Sequence, residues 1–207
     1  MHLLSLVPLL SFYKVLRNFM CSTLITLEKD QTKSPEWKLE SIAILGIILP
    51  AFPPALSKLY SRPILDHLLG RLNSYSTIGK GCTTCLDTIA HLARSCSHVW
   101  DVNILSEALG QIKRLSSYSS PKEAASALAC MASLMSIQES HTLHHGIMHY
   151  CFSHYLFSEI TPETSVKIGV MSLIGSVGTA DRNALSNRGQ YAGMKREEGK
   201  RSCCFLA

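Results

Sequence analysis

The sequence predicts an all-α fold: a right-handed α-solenoid of about four helix-pair repeats, with a period of about 41–43 residues. Three observations predict it. RLNSYST at Arg71 to Thr77 recurs as RLSSYSS at Arg114 to Ser120, so Leu72, Ser74, Tyr75 and Ser76 return 43 residues later at Leu115, Ser117, Tyr118 and Ser119. Upstream of each copy, ILDHLLGRL from Ile64 is echoed by ILSEALGQI from Ile104, at an offset of 40. Helix-start positions then fall at Ser34, Thr77, Ser120 and Thr161, spaced by 43, 43 and 41 residues. Self-similarity at this period marks stacked helix pairs, none of which can bury its apolar face alone.

In chain order, residues 1–27 open with LLSLVPLLSF, and Val15, Leu16, Phe19 and Met20 continue the run at helical spacing around Lys14 and Arg17. A secretory signal requires a basic n-region and a small-X-small cleavage site, and neither is clear here. The run is read as an amphipathic helix packing on the next repeat, with Pro8 kinking or dividing it. Leu27 to Lys33 is a polar loop. Ser34-Pro35-Glu36 starts a helix with a cap, a proline in the first position and an acid at the positive end. The helix behind it, WKLESIAILGIIL, is apolar nearly all round after Glu40, as expected of a helix buried between neighbours. Seventeen uncharged residues separate Glu40 from Lys58. That is short for a membrane span, and Pro50, Pro53 and Pro54 cut it.

Leu56 to Asn73 is a second helix, broken or started at Arg62-Pro63, with Ile64, Leu65, Leu68, Leu69 and Leu72 on one face. Cys82, Cys85, Leu86, Ile89, Ala90 and Leu92 form the next apolar face. Asp101 caps Val102 to Leu115, and Ser120-Pro121-Lys122-Glu123 is a capping box leading into Ala124 to Ile137. His141 to Phe157 is the aromatic-rich partner helix, and Thr161-Pro162-Glu163 repeats the cap, proline and acid before SVKIGVMSLIGSVG. From Thr179 the apolar periodicity stops. The predicted organisation is a helical repeat domain over residues 1–177 and a disordered basic tail over 178–207.

Composition narrows the function classes. Charged residues are 17% of the 207, against roughly 25% in typical soluble domains, so something is expected to cover part of the surface. Of the net charge of +5, the tail supplies a good share: Arg182, Arg188, Lys195, Arg196, Lys200 and Arg201 face Asp181, Glu197 and Glu198. The body is nearly neutral, which argues against nucleic acid as a partner. Of the eight cysteines, Cys21, Cys130 and Cys151 sit in apolar helical runs, where a free thiol packs as a small hydrophobe. No Asn-X-Ser/Thr acceptor occurs. Both features point to a reducing intracellular compartment, cytoplasmic or nuclear.

The paired helices, their period and their cap placement over residues 1–177 resemble the HEAT and armadillo superfamily of helical repeats. The strict HEAT consensus is not met, because no acidic-basic pair recurs in each intra-repeat turn. The resemblance implies a scaffold whose stacked helix pairs form a curved surface for partner proteins. An array normally ends in polar capping repeats. Here Met1 leads directly into an apolar helix and the last repeat passes into polar tail, so a segment or shortened form of a longer solenoid is expected.

Several chemistry-bearing residues also have packing roles. His141, His145 and His149 lie at i, i+4 and i+8, with His144, Cys151 and His154 nearby. The stripe lacks the glutamate of an HExxH zinc helix and reads as a solvated face. Cys82-Thr83-Thr84-Cys85 with Cys96 and His98 has zinc-like content, but the pair straddles one helical turn instead of a loop. Gly79-Lys80-Gly81 does not complete a phosphate loop, and neither a nucleophile elbow nor a dinucleotide fingerprint occurs. No enzyme activity, metal or cofactor is expected, and Ser34, Thr77, Ser120 and Thr161 are assigned as structural caps. The expected role is a non-catalytic scaffold binding other proteins. The alternative is a peripheral membrane protein: Cys204-Phe205-Leu206-Ala207 fits a C-a-a-X lipidation motif, with Cys203 beside it and Lys200 and Arg201 upstream. Membrane contact is expected only through that motif.

Overall fold

Local chemistry and apolar periodicity make helices of the regular elements among the described residues. The structure, a computed structural model, describes residues 34–74, 79–118, 120–156 and 162–181, with scattered positions between 11 and 32. Among these residues the fold is all-α, with several helices and no strand. It divides into two compact units, one reaching to Val99 and the other beginning at Trp100.

The first unit holds α1 (Pro35–Ile48), α2 (Pro54–Ser74) and α3 (Gly79–Ser95), with 3-10 turns at Leu49–Ala51 and Ser97–Val99. Ser34 stands at the N-cap of α1 and its hydroxyl accepts from the Trp37 N–H at 3.2 Å. All three helices pack on one another, α1 chiefly against α3. Ile42, Leu45, Leu49, Ile64, Leu68, Leu72, Leu86 and Ile89 are all but sealed from solvent. Gly46 allows the α1–α3 approach: a Cβ there would lie 2.5 Å from the Thr88 Cγ2 methyl. On α3 the buried positions 82, 85, 86, 89, 92 and 93 recur every three or four residues as an amphipathic stripe, which buried Thr88 and Ala90 widen.

Two expectations for this unit are corrected. Helix α1 is not buried all round: Trp37, Glu40, Ile44 and Ile47 form an outward stripe, with Ile44 56% and Ile47 55% exposed. Nor does α2 break at Arg62-Pro63; Pro63 lies inside a continuous helix of 21 residues. Proline inside a helix removes one intrahelical bond and crowds the carbonyl one turn back, costing about 3 kcal/mol. Burial of Tyr60, Ile64, Leu65, Leu68, Leu69 and Leu72 along one face offsets that loss, since each side chain contributes roughly 1.5–3 kcal/mol.

The second unit holds α4 (Val102–Tyr118), α5 (Pro121–Met135), α6 (His141–Cys151) and α7 (Thr164–Ala180), with a 3-10 turn at Gln138–Ser140 and a π-helical turn at Phe152–Leu156. Asp101 Oδ1 accepts from the Ile104 N–H at 2.8 Å, capping α4. At α5 the Ser120 hydroxyl accepts from the Glu123 N–H, while Glu123 Oε2 accepts from the Ser120 N–H at 3.1 Å. This box closes two backbone donors that the first turn otherwise leaves open. Ser120→Ala is expected to cost about 1 kcal/mol, read as a lowered midpoint in chemical denaturation. An unchanged curve would remove Ser120 from the cap role.

Helix α5 packs against α4 and, most extensively, α7. A Cβ on Gly169 would sit 2.9 Å from Leu128 Cβ, so the α5–α7 seam is built on the missing side chain. Helix α6 is short because its last turn opens into the π turn. Its Tyr150 hydroxyl reaches Ser116 Oγ at 2.6 Å and Ser117 Oγ at 2.8 Å, both in the duplicated RLSSYS run, and Tyr155 donates to the Ser116 carbonyl at 2.8 Å. Lys113 Nζ lies 4.5 Å from the centre of the Tyr150 ring. These bonds tie α6 to α4. Thr77 and Thr161 lie outside the described residues. The helix described after Thr161 begins at Thr164, with Glu163 in the cap position and making no side-chain cap bond. Helix α7 continues to Ala180, past the boundary expected after residue 177.

Candidate functional site

The one grouping of potential ligand side chains among the described residues lies where α6 begins and α7 ends. The Gln138–Ser140 turn delivers the chain into α6 with Ser140 fully buried, its hydroxyl within 2.6 Å of the Ile137 carbonyl and 3.0 Å of the Met135 carbonyl. One turn into α6, His144 is buried, with only 1% of its surface exposed. Its Nε2 lies 3.2 Å from the Met135 carbonyl oxygen and 2.8 Å from Ser140 Oγ. A carbonyl can only accept, so the bond to Met135 places the proton on Nε2. The lone pair of the neutral ring is therefore on Nδ1.

That Nδ1 is buried and has no hydrogen-bond partner. Opposite it stands Asp181 Oδ2 at 3.9 Å, beyond hydrogen-bond reach. Asp181 is held there as the residue closing α7, its N–H donating to the Val177 carbonyl at 2.7 Å. The third member is His141, exposed at the first position of α6, its ring centroid 5.0 Å from that of His144. The candidate ligand atoms of His141, His144 and Asp181 all lie within 4.8 Å of one another.

Burial lowers the His144 pKa below the usual histidine value, and His141 adds to that effect. The bond to Met135 and the Asp181 carboxylate work against it without reversing it. His144 is thus a neutral imidazole with its lone pair facing a carboxylate across a narrow gap. Two acceptors in that arrangement repel unless a proton, water or cation lies between them.

The residues singled out in the sequence fall differently. Of the His141, His145 and His149 stripe, His141 joins the cluster, His145 is exposed and His149 is half-buried. His144, three residues from His141, completes the pair. Cys82, Cys85 and Cys96 are free thiols buried in the first unit. Burial pushes the Cys85 thiol up to about 12, with Cys82 raising it further and Arg71 opposing. Burial also raises Cys96, and His98 Nε2 is engaged with Ser57 Oγ at 3.1 Å. Cys151 is likewise pushed up to about 12 by burial, against the pull of Lys113. Such thiols pack as hydrophobes and are poor nucleophiles. Gly79 to Gly81 opens α3, with no strand before it among the described residues. Cys203 and Cys204 lie outside the described residues, and no described helix is long and apolar enough to cross a membrane.

Asp181 is the functional candidate that sequence reasoning missed. The apolar pattern fades at Thr179, which makes Asp181 look like the first acid of a polar tail. No local signal links it to His144, because the two meet only through the packing of α7 against α6.

No protein-family model matches the chain, no curated protein matches its sequence and no solved structure matches its fold. The chain's own residues therefore carry the functional reading.

Proposed function

We propose that this protein is a non-catalytic intracellular scaffold of the HEAT and armadillo type, which holds partner proteins on the outward faces of its stacked helices. The observation that carries this reading is a shared construction in the two units. In each, a helix pairs most extensively with the helix two places along the chain, α1 with α3 and α5 with α7. Such skip-one stacking is what inner helices of successive repeats make. In each unit, one of these stacked helices turns apolar side chains outward. On α1 these are Trp37, Ile44 and Ile47; on α7 they are Ile168 and Met171, 65% and 64% exposed. Single exposed apolar residues are ordinary, but an apolar stripe at helical spacing on a packed helix fits a partner's apolar helix face. The buried, high-pKa cysteines support both parts of the reading, as inert thiols in a reducing compartment.

Photo-crosslinking in cells tests this. A crosslinker placed at Ile44 or Met171 is expected to yield discrete protein adducts that one placed at exposed Lys122 does not. The same weak products from all three positions would sink the scaffold reading.

A further inference from the structure

We propose that His141, His144 and Asp181 form a binding site for a divalent transition metal of the zinc class, clamping the start of α6 to the end of α7. The proposal stands apart from the scaffold reading and does not depend on it.

Four observations carry it. The first is the donor set: two imidazoles and one carboxylate, the ligand types that zinc and its neighbours take with an open fourth position. The second is spacing. Ligand atoms around tetrahedral zinc lie roughly 3.4 Å apart, given bonds of about 2.0–2.1 Å. The Nδ1–Oδ2 separation of 3.9 Å is close to this, and all three atoms fall within 4.8 Å.

The third observation is His144 itself. It is buried, and the bond from Nε2–H to the Met135 carbonyl fixes the tautomer that leaves Nδ1 as the bare lone pair. A ring whose far N–H is held by a backbone carbonyl is the outer-shell arrangement that orients metal-bound histidines. Packing alone gains nothing from an unsatisfied Nδ1 aimed at a carboxylate; a cation between the two gives Nδ1 a partner. The fourth is the backbone field. Asp181 closes the C-terminal end of α7, where the helix dipole favours a cation. Since His141 is exposed, the fourth ligand is water or a side chain brought by a partner.

The test uses the full chain, stripped with a chelator and titrated with Co2+, then with Zn2+ in competition. The expected result is one Co2+ per chain, with visible ligand-field bands and no thiolate charge-transfer band, displaced by Zn2+. Zn2+ should also raise the melting temperature. His141→Ala and Asp181→Asn each alter an accessible side chain and should weaken binding at least tenfold and abolish the thermal shift. His145→Ala, on the exposed neighbour, should change neither. His144→Ala should also eliminate binding but removes a buried ring, so the two surface variants decide the matter. Absence of saturable binding overturns the proposal. So does binding that persists unchanged in both surface variants, or a thiolate band showing that the cysteines hold the metal.

Discussion

Truncating Leu128 to alanine is expected to lower the unfolding free energy by about 3–4 kcal/mol, the largest single effect foreseen for this chain. Leu128 is 0% exposed, on the face of α5 that meets α7. The change deletes three buried carbons, worth roughly 0.8 kcal/mol each in transfer free energy. The void they leave adds a second penalty of about 24 cal/mol per Å3. Facing the void is Gly169, which has no side chain to collapse into it. Most of the cavity therefore persists, placing the loss in the upper half of the roughly 2–5 kcal/mol range for such changes. The measurement is the denaturation midpoint at constant slope. A loss below about 1 kcal/mol would show that Leu128 is not packed in the α5–α7 seam.

Gly169→Val is expected to destabilise the same seam from the opposite side by about 2 kcal/mol. A Cβ there meets Leu128 Cβ at 2.9 Å, Leu128 Cδ1 at 3.2 Å and the Ala125 carbonyl oxygen at 3.4 Å. The Cδ1 methyl can rotate away, but a Cβ and a carbonyl move only with their backbone, so the helices must separate. Overpacking of this kind costs about 1–3 kcal/mol. The higher helix propensity of valine over glycine returns only a few tenths. Gly175 on the same helix supplies the contrast, since nothing lies within 4 Å of a Cβ there. Gly175→Ala should stabilise by up to about 1 kcal/mol, the opposite sign for a similar change. Adding Leu128→Ala to Gly169→Val should not rescue stability, because alanine keeps the Cβ that clashes. Rescue in the double variant, measured by a mutant cycle, would refute that geometry.

Several elements are legible in the sequence because the bonds that make them are local. Ser34 bonds the Trp37 N–H and Ser120 the Glu123 N–H, each across three residues, so residue type and spacing suffice to read them. The apolar stripes of α3 and α4 are legible for the same reason, as 3.6-residue periodicity relates positions one turn apart. The continuity of α2 is less so. Pro63 is a local helix breaker, and only the summed burial of the face around it shows that the helix runs through.

Apolar content alone misleads at α1. Ile44 and Ile47 look no different in sequence from Ile42 and Leu45, yet one pair faces outward and the other is sealed. The choice was made by which side Thr88 and Gly46 let α3 approach. The candidate metal cluster is a sharper case. His141 and His144 are visible as neighbours on one helix, but His145 and His149 compete for attention at the more familiar i, i+4 spacing. Nothing near Asp181 marks it as a partner to either histidine.

The sequence by itself determines that this chain is helical and where α1, α4 and α5 are capped, because both properties depend on contacts within a turn or two. Only the tertiary structure decided which helices stack, which apolar stripes stay in solvent, and that His144 turns a bare lone pair towards Asp181. Those outcomes depend on side chains distant in sequence, sorted by volume and by glycine gaps at the seams. A single strand of text records the residues but not which of them will meet.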